Sequence, residues 1–523
     1  MSAAASERHQ ARARSVTASG PAFALIGLTA LLCARLVPDI AGKPFHEDEA
    51  VAGLISARPL GDLLHTVVLD RGGAPLHFLL AHVALAIDTT PESLRWLSLV
   101  FALATVPPCY DVTRRLSGQF AGLIAAALAA TSQLLLVYGT FGRMYSLFAF
   151  ASALATDLFV RALERPQRRE VLAAAAATLL PLAVHPFGAF LFLAEAAVAL
   201  WLWRGRSLRA ALPVLAVALL AVPLLLADLR LSDRYAPEAG QDLDSGTSAG
   251  AATLHALGGA AGGGGVIFAA FVLLAGAGIF ALARRRPTLA AFAVLTIVVP
   301  PVALAIASAA GIAGDRLGPR HLIFMLPLWI ALVATGATEV GALVPAKPRL
   351  AALAAIVAAA AVAPSAVSEP RTIPTGAERA VAAPAAWLAT QVGPGDVLYP
   401  YSPVFLAALP VAKEARAYSR EPVALARAAK RTGATHTVFM SIPLREPANA
   451  DALRRAGVAF RAFPSWLILE ARGPFASGTA ALGSAAELLR VAAPLITEPN
   501  AHAYLEQIHV TACAALVRLR SAC

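Results

Sequence analysis

The sequence predicts a polytopic α-helical membrane protein of about eleven spans, followed by an extracytoplasmic α/β domain at the carboxyl end. Three observations indicate this fold class. Of the 523 residues, 58% are hydrophobic and only 14% are charged. Apolar runs of bilayer length recur between Pro21 and Pro364, whereas the chain after Ser368 has ordinary mixed character. The mean hydropathy of +0.68 excludes an ordinary soluble domain.

Window hydropathy predicts the individual spans. They cover roughly residues 21–37, 93–110, 118–138, 145–162, 170–184, 187–203, 208–227, 264–283, 288–310, 320–340 and 350–366. Residues 1–20 contain several arginines, and no small-residue cleavage site follows the first apolar run. We therefore interpret that run as an uncleaved span, residues 1–20 as a basic cytoplasmic segment and residues 21–366 as the transmembrane domain.

The apolar stretch "APLHFLLAHVALAID" at 74–88 decides the orientation. If it does not cross the membrane, every basic loop lies on the side of the basic N-terminus, as the positive-inside rule requires. If it crosses, all of those loops lie outside. These loops are residues 112–118, 161–170, 204–209, 284–287 and 346–349. We therefore predict an interfacial or re-entrant helix at 74–88, a large first outer loop at 38–92, a cytoplasmic N-terminus and an extracytoplasmic C-terminus.

The basic residues explain the net charge without a nucleic-acid partner. The formal charge is +11, and most of it lies in the short loops between spans, where it sets topology. The sequence therefore predicts a multi-pass protein of the plasma membrane that contacts membrane lipid and binds no nucleic acid.

Acids, histidines and arginines meet on the predicted outer side. The first outer loop carries "HEDE" at 46–49, and Arg95 lies at the outer end of the next span. "YGTFGRMYS", "VHPFG" and "GDRLGPRH" follow at the outer ends of later spans. Residues from distant parts of the chain thus share one face, which favours a site at the outer membrane surface.

Each of these residues also has a structural interpretation. Asp48 or Glu47 could cap the helix that begins at "EAVAGLIS", because acids favour helix N-termini. His185 could end one span with its ring reaching water. Arg143, Tyr145 and Arg320 could be interfacial anchors at span ends. Their joint placement on one side is what favours a functional interpretation.

The order of these motifs resembles the GT-C superfamily. "DEA", "GGAPLHFLL", "LRWLSLVFALATV", "YGTFGRMYSLFAF", "HPFGAFLFL" and "PRHLIFMLP" are similar in order and spacing to its polyprenyl-phosphate-sugar-dependent branch. That branch includes protein O-mannosyltransferases and bacterial aminoarabinose transferases. The similarity covers about residues 40–340. It implies an inverting glycosyltransferase that moves a sugar from a polyprenyl-phosphate donor to an extracytoplasmic glycan, lipid or protein acceptor.

The resemblance also implies roles for single residues. Asp48 matches the family's catalytic acid and is the candidate general base, and Glu49 would orient the acceptor or the neighbours of Asp48. Arginine suits the departing phosphate because its planar fork pairs with two oxygens. The residues assigned to the donor or its phosphate are Arg143, Tyr145, His185, Arg320 and Arg95. One departure is "RMYS", where many members have an aspartate.

A cofactor is not predicted, although a divalent cation remains an alternative. His46, Glu47, Asp48 and Glu49 are metal-ligand types, but contiguous ligands give poor geometry without partners from elsewhere in the chain. A transporter or flippase of a lipid-linked precursor, or an inactive scaffold, is the alternative to an enzyme. A transporter would place ionisable residues near mid-span. The predicted spans are nearly pure Ala, Leu and Val there, and Asp157 and Glu195, nearer the inner half, are the exceptions.

Residues 367–523 predict the outer α/β domain. "GDVLYPYS", "THTVFMSI" and "SWLILEA" are typical of buried strands, and residues 377–391 and 421–433 of helices. We interpret this domain as a lid or as an acceptor-docking domain. A disulfide between Cys513 and Cys523 is permitted outside the cell, but ten helical residues span ~15 Å, so the bond requires a break in the helix. "GGAAGGGG" at 258–265 is interpreted as a flexible approach to a span.

Overall fold

The structure, a computed structural model, divides the chain into two compact units. It describes residues 3–70, 73–204, 217, 219–227, 248–309, 318–343, 345, 354–361, 380–412, 414–417 and 435–523. Unit 1 comprises Met1–Ile40, Ser98–Leu229 and Asp244–Glu369. Unit 2 comprises Ala41–Leu97, Arg230–Leu243 and Pro370–Cys523.

In the described residues up to 204, the α-helices are, in chain order, α1 Ala3–Gly42, α2 Glu47–Ser56, α3 Leu60–Leu64, α4 Leu76–Ile87, α5 Glu92–Ser117, α6 Gln119–Ala130, α7 Gln133–Tyr138, α8 Tyr145–Glu164, α9 Arg168–Val184 and α10 Gly188–Trp203. The later helices are α11 Ala249–Ala260, α12 Gly265–Arg285, α13 Pro287–Ala309, α14 Leu326–Ala342, α15 Ala382–Gln391, α16 Pro403–Ala407, α17 Leu409–Ala412, α18 Ala450–Arg455, α19 Gly478–Ala492 and α20 Pro499–Arg518. A π-helix, His65–Asp70, follows α3, and a 3₁₀ helix, Pro319–Met325, precedes α14.

Six helical segments of the described chain are long and apolar enough to cross a membrane. They are Gly20–Gly42, Glu92–Ser117, Tyr145–Glu164, Gly265–Arg285, Pro287–Ile306 and Pro319–Ala342. The predicted spans near 118–138 and 187–203 appear as the shorter apolar helices α6 and α10, and the one at 170–184 as α9. The predicted spans 208–227 and 350–366 lie partly outside the described residues. A mostly helical membrane fold is therefore confirmed, and the number eleven stays a prediction.

One end of unit 1 is held together by ion pairs, and we refer to it as the ion-pair end. Glu164, at the end of α8, pairs with Arg115 of α5 at 3.2 Å and with Arg286 after α12 at 2.6 Å. Arg285 of α12 pairs with Glu339 of α14 at 2.6 Å. The carboxyl ends of four helices therefore meet here, together with three of the predicted basic loops.

Asp157 and Glu195, the two acids predicted within spans, both connect helices. Asp157 of α8 accepts hydrogen bonds from Arg115 at 3.2 Å and from Arg161 at 3.1 Å. Glu195 of α10 is 2% exposed, and its Oε2 lies 2.5 Å from Thr178 Oγ1 of α9. Both acids therefore contribute to contacts between neighbouring helices.

Unit 2 contains a five-stranded mixed sheet. Its strands are β1 Val397–Leu398, β2 Arg416–Ala417, β3 Thr435–Pro443, β4 Phe460–Ala462 and β5 Trp466–Phe475, in the order β2-β1-β3-β5-β4. β1 pairs with β2 and β3 in parallel, and β5 pairs with β3 and β4 in antiparallel orientation. The three predicted strands are present, whereas the short strands β2 and β4 were not predicted. The predicted helix 421–433 lies outside the described residues.

The helices of the first outer loop pack on this sheet. Ile55 of α2, Leu63 of α3 and Phe78 of α4 share one buried cluster with Phe405 of α16 and Trp466 of β5. Apolar side chains of the opposite face stay exposed, namely Leu60, Leu64, Leu69, Val83 and Ile87. The structure thus groups residues 41–97 with the carboxyl-terminal segment, whereas the sequence assigned 38–92 to the transmembrane domain. Burial of one amphipathic face against β1 and β5 explains the difference.

Helix α4 is short for a membrane span. Its 12 residues rise ~18 Å, and the hydrocarbon core of a bilayer is ~30 Å thick. His77, Phe78 and Leu85 are buried within unit 2, and His82 Nδ1 lies 2.8 Å from the carbonyl oxygen of Ser56. The helix therefore has a packed face and an exposed apolar face, which suits a membrane surface.

The glycine-rich segment and the carboxyl-terminal cysteines each form a defined local structure. Residues 258–263, predicted to be flexible, are buried, and Gly263 N donates to Gly258 O at 2.8 Å to close the end of α11. Cys513 and Cys523 form a disulfide with a Cα–Cα distance of 5.1 Å. The required break is the end of α20 at Arg518, followed by the left-handed residue Arg520 at φ 56°.

Candidate active site

His46 begins the acidic segment as the N-cap of α2. Its Nδ1 accepts a hydrogen bond from Asp48 N at 3.0 Å, and its own N–H donates to Glu49 Oε2 at 2.9 Å. These two bonds form a capping box, with an imidazole in the place usually taken by a hydroxyl or carboxylate. The cap is therefore His46, whereas the residue types had suggested Asp48 or Glu47.

Glu49 forms a buried two-point salt bridge with Arg95. Arg95 Nε donates to Glu49 Oε1 and Nη2 donates to Oε2, each at 2.7 Å. The same guanidinium donates to the carbonyl oxygens of Lys43 at 2.6 Å and Pro44 at 2.8 Å, and lies 4.3 Å above the Phe45 ring. Arg95 thus fixes both Glu49 and the segment that leads into α2.

Asp48 occupies the first turn of α2 and is half-buried. It directly precedes Glu49, so the two side chains point about 100° apart on the helix. The Glu49 side chain is 1% exposed. Asp48 is therefore the more exposed acid of the predicted pair.

Arg143 is the most buried cation of the donor-binding set in unit 1. It is 7% exposed, and among the residues that the structure describes, no hydrogen-bond partner is present for its Nε and Nη1. Its loop is held by Ser98 Oγ, which donates to the carbonyl oxygen of Phe141 at 2.7 Å, and by Ser146 Oγ, which donates to that of Tyr138 at 2.6 Å. A buried guanidinium with N–H groups to spare is a candidate anion site.

The rings of Tyr145, His185 and His321 lie close together in unit 1. The centroids of His185 and His321 are 5.6 Å apart, and Tyr145 lies 6.2 Å from His185 and 6.4 Å from His321. Phe148 stacks on His185 at 4.9 Å, and Phe187 stacks on His321 at 5.5 Å. We refer to Arg143, Tyr145, His185, Arg320 and His321 as the imidazole cluster.

Backbone N–H groups fix the tautomers of both histidines. Phe187 N donates to His185 Nδ1 at 3.1 Å, and Gly318 N donates to His321 Nδ1 at 3.0 Å. In a neutral ring the proton then resides on Nε2, so each imidazole presents an N–H donor. Burial, reinforced by the charges of Arg143 and Arg320, lowers the pKa of His185 to about 3. His185 is therefore neutral at physiological pH.

The structure brings four of the predicted donor-binding residues into one unit. Arg143, Tyr145, His185 and Arg320 all belong to unit 1, and both arginines act electrostatically on His185. Asp48, Glu49 and Arg95 belong to unit 2. His321 was not assigned a role from the sequence, although its position beside Arg320 in "GPRH" was a signal.

Two ligand-type groups of the acidic segment already take part in hydrogen bonds. Glu49 accepts from Arg95, and His46 Nδ1 accepts from Asp48 N. A group of three ligand atoms within 4.8 Å of one another does occur elsewhere, at His509, Cys513 and Cys523.

Comparisons with known proteins support the same fold. Residues 72–228 match the family model described as dolichyl-phosphate-mannose-protein mannosyltransferase. No curated protein matches the chain. The chain is similar to ArnT from Cupriavidus metallidurans bound to undecaprenyl phosphate, with a TM-score of 0.52 and 12% identity over 87% of this chain and 98% of ArnT. It is equally similar to the apo oligosaccharyltransferase of Archaeoglobus fulgidus, with a TM-score of 0.52 and 12% identity over 83% of this chain and 71% of that one. The resemblance to the GT-C superfamily is thus confirmed, and the chain has the fold of its membrane glycosyltransferases.

Proposed function

We propose that the chain is an inverting membrane glycosyltransferase that moves a sugar from a polyprenyl-phosphate donor to an extracytoplasmic acceptor. The observation that carries the proposal is the composition of the imidazole cluster. Arg143 offers buried N–H groups, His185 and His321 are held as Nε2–H donors, and Arg320 adds a second positive charge. A cluster composed of hydrogen-bond donors and cations can bind a phosphate group.

The chemistry of the reaction explains why such a cluster is useful. Attack of the acceptor on the anomeric carbon breaks the bond to the phosphate oxygen, and negative charge accumulates on that oxygen in the transition state. Hydrogen-bond donors that are already in place before the reaction stabilise this charge without reorganisation. Removal of one hydrogen-bond donor of this kind lowers kcat by a factor on the order of 10²–10³.

The polyprenyl-phosphate donor rests on the comparisons as well. ArnT, which shares the fold, binds undecaprenyl phosphate, and the matching family model is that of dolichyl-phosphate-mannose-dependent enzymes. Both ligands are long isoprenoid phosphates, which agrees with a site on a membrane-spanning unit. The acceptor would be a glycan, lipid or protein of the cell envelope.

Asp48 is the proposed general base, and Glu49 and Arg95 are proposed to position it. Arg95 already donates four hydrogen bonds within unit 2. This argues against the phosphate-binding role that the resemblance implied for Arg95. Glu49 likewise uses both oxygens to accept bonds from Arg95 and His46, so proton abstraction is left to Asp48.

The experiment uses purified full-length protein in nanodiscs. Release of free polyprenyl phosphate is followed from a panel of radiolabelled polyprenyl-phosphate sugars, with cell-envelope extracts as acceptor. We expect wild type to turn over one donor, Asp48→Asn to lose at least ~10²-fold in kcat with donor binding retained, and Arg143→Gln to lose donor affinity.

Glu47→Gln is the matched control, since Glu47 precedes Asp48 in the same first turn. Unchanged release in Asp48→Asn would remove the general base from the proposal. Donor binding without phosphate release in wild type, with any acceptor, would favour the transporter alternative instead.

A further inference from the structure

The two acids within the predicted spans have opposite surroundings. Asp157 of α8 accepts hydrogen bonds from two cations, Arg115 and Arg161. Glu195 of α10 is 2% exposed, and its Oε2 contacts the hydroxyl group of Thr178 on α9. Its Oε1 is buried and has no hydrogen-bond partner among the residues that the structure describes. Within that part of the chain, no cation donates to either oxygen of Glu195.

The hydroxyl group of Thr178 has a second contact, which identifies the donor. Its Oγ1 lies 2.8 Å from the carbonyl oxygen of Ala174, one turn earlier on α9, and 2.5 Å from Glu195 Oε2. Each of these contacts needs a hydrogen atom between its oxygens, and a hydroxyl group has only one. A carbonyl group only accepts, so the Thr178 hydrogen goes to Ala174, as is common for threonine within a helix. The hydrogen in the contact with Glu195 is then supplied by the acid itself.

The burial of Glu195 supports the same protonation state. An ionised carboxylate is strongly disfavoured in apolar surroundings unless a cation or several hydrogen-bond donors compensate its charge. An ionised Glu195 would accept one hydrogen bond on Oε2 and, within the described chain, none on Oε1. A neutral carboxylic acid has no charge to compensate, and Oε1 is then its carbonyl oxygen. The neutral form therefore fits these contacts.

The charged side chains of the neighbouring helices have other partners or lie far along their helix. Helix α10 packs on α8, α9 and α13, and α13 contains no ionisable residue. On α9, at least ~12 Å of helix separates Thr178 from the charged residues, which are Arg168, Arg169 and Glu170. On α8, Tyr145 belongs to the imidazole cluster, whereas the charged residues pair at or near the ion-pair end, and these are Asp157, Arg161 and Glu164.

Glu195 and Thr178 lie at matching levels of a helical hairpin. Helices α9 and α10 are its two arms, and residues 185–187 form the turn between them. Thr178 lies about two helical turns before residues 185–187, and Glu195 about two helical turns after them. Close to the turn, Gly188 packs so tightly on Pro181 that a Cβ atom would overlap the Pro181 carbonyl group. The contact between Glu195 and Thr178 thus holds the two arms at a second level.

We propose that Glu195 stays protonated within the membrane at neutral pH, and that its O–H group closes the α9–α10 hairpin and thereby positions His185. A protonated acid gives the hairpin a hydrogen-bond donor at membrane depth without burying a charge. His185 begins the turn of the hairpin and belongs to the imidazole cluster, so this positioning role rests on the proposed function. The acid keeps its proton throughout sugar transfer.

Infrared spectroscopy tests the protonation state, because a protonated carboxyl group has a carbonyl stretch above the amide bands and an ionised one does not. Spectra of full-length protein in nanodiscs are recorded at neutral pH, and each variant is subtracted from wild type. We expect Glu195→Gln to remove one such band. Labelling of glutamate carboxyl groups with carbon-13 should shift that band and so separate it from lipid esters. Asp157→Asn is the matched control and should remove no such band, since Asp157 is bonded to two arginines.

Stability measurements test the hairpin contact without any sugar donor. In a double-mutant cycle, the effects of Glu195→Leu and Thr178→Val on the unfolding free energy should be non-additive, because each removes the same hydrogen bond. Glu195→Gln should retain most of the stability, since its amide N–H can donate to Thr178. Glu195→Leu should also weaken binding of the polyprenyl-phosphate sugar by about threefold to tenfold, the range that one hydrogen bond between membrane helices contributes. Glu195→Gln should bind it as wild type does.

Each part of the proposal has its own contrary result. If Glu195→Gln removes no carboxyl band, the acid is ionised and the proposal fails. Additive effects of Glu195→Leu and Thr178→Val would rule out the hairpin contact, and unchanged donor affinity in Glu195→Leu would rule out the positioning of His185. Failure of the proposed function looks different, because wild type would then bind no polyprenyl-phosphate sugar while the infrared band and the cycle still decide the state of Glu195.

Discussion

Glu49 and Arg95 face each other as a two-point salt bridge whose side chains are 1% and 3% exposed. The pair belongs to unit 2, and Arg95 also donates to the carbonyl oxygens of Lys43 and Pro44 in the segment that leads to Asp48. Loss of one partner leaves a buried charge uncompensated, which typically costs about 3–5 kcal/mol. The salt bridge is therefore the strongest single determinant that we identify for the shape of this segment.

We expect Arg95→Gln to lower the thermal unfolding midpoint of the purified protein clearly, because Glu49 stays buried without its cation. Arg454→Gln is the control, since its pair with Asp451 is largely exposed and such pairs contribute about 0–1 kcal/mol. The measurement is a thermal melt of both variants in the same nanodiscs. Equal midpoints for Arg95→Gln and wild type would contradict a structural role for the salt bridge.

The lowered pKa of His185 should make the stability of the protein depend on pH. The unfolded chain binds a proton at this residue near pH 6.5, whereas the folded chain does so only near pH 3, since burial and two arginines lower the pKa. The free energy of unfolding therefore falls between these values as the pH drops, by up to about 1.4 kcal/mol per unit. Above pH 6.5 this residue causes no further change.

His185→Asn removes this titration while keeping an acceptor for Phe187 N–H. We expect the unfolding free energy of the variant to depend less steeply on pH between 6.5 and 4 than that of wild type, as measured by denaturant titration. Parallel curves for the two proteins would mean that folding does not lower the pKa of His185.

Gly53 lies where α2 packs closely against the Leu406 side chain of α16. A Cβ atom at this position would overlap Leu406 Cδ1 and lie 3.1 Å from Leu94 Cδ1. We expect Gly53→Ala to destabilise unit 2 by about 1–3 kcal/mol, as overpacking does. In a double-mutant cycle, Leu406→Ala should recover part of that loss. Strict additivity of the two changes in unfolding free energy would argue against the contact.

Two glycines allow α12 and α14 to approach closely. A Cβ at Gly278 would overlap the carbonyl oxygen of Leu332, and one at Gly336 would overlap that of Leu274. Such small residues let membrane helices pack backbone to backbone. Gly336→Val should reduce the yield of folded protein after detergent extraction, measured by size-exclusion chromatography. Gly276→Ala, on α12 with open space around its Cα, should not.

The membrane orientation is open to a direct test. Reporter fusions within residues 161–170 should be cytoplasmic, and fusions at the carboxyl end should be extracytoplasmic, because the ion-pair end gathers the basic loops. Reversal of both reporters would mean that residues 74–88 cross the membrane, and the proposed outer site would fail with it.

The sequence predicted the features that depend on composition and period. Long apolar runs gave the spans, and strand-like segments gave β1, β3 and β5. The grouping of α2 and α4 with the sheet was not predicted, because it depends on contacts between segments more than 300 residues apart, such as Arg58 Nη2 donating to Tyr401 Oη at 3.2 Å. Hydropathy shows that a face is apolar, but not whether lipid or protein covers it.

The candidate site follows the same rule. Residue types and motif order were enough to single out Asp48, Arg143, His185 and Arg320, because carboxylates, arginines and histidines are the residue types that the proposed reaction requires. The Glu49–Arg95 bridge and the tautomers of His185 and His321 depend on backbone geometry and on long-range pairing. A single sequence does not encode those distances in any local pattern.

In the reaction that we propose, the hydrogen-bond donors and cations of the imidazole cluster also have consequences after the sugar has left. The donor phosphate is a diester with one negative charge, whereas the released polyprenyl phosphate is a monoester with up to two. Backbone N–H groups hold His185 and His321 as Nε2–H donors, so both rings present the same donor to the substrate and to the product. The product is then attracted more strongly than the substrate. Departure of the spent lipid carrier is thus the step that we expect to limit turnover, with free polyprenyl phosphate as a competitive inhibitor.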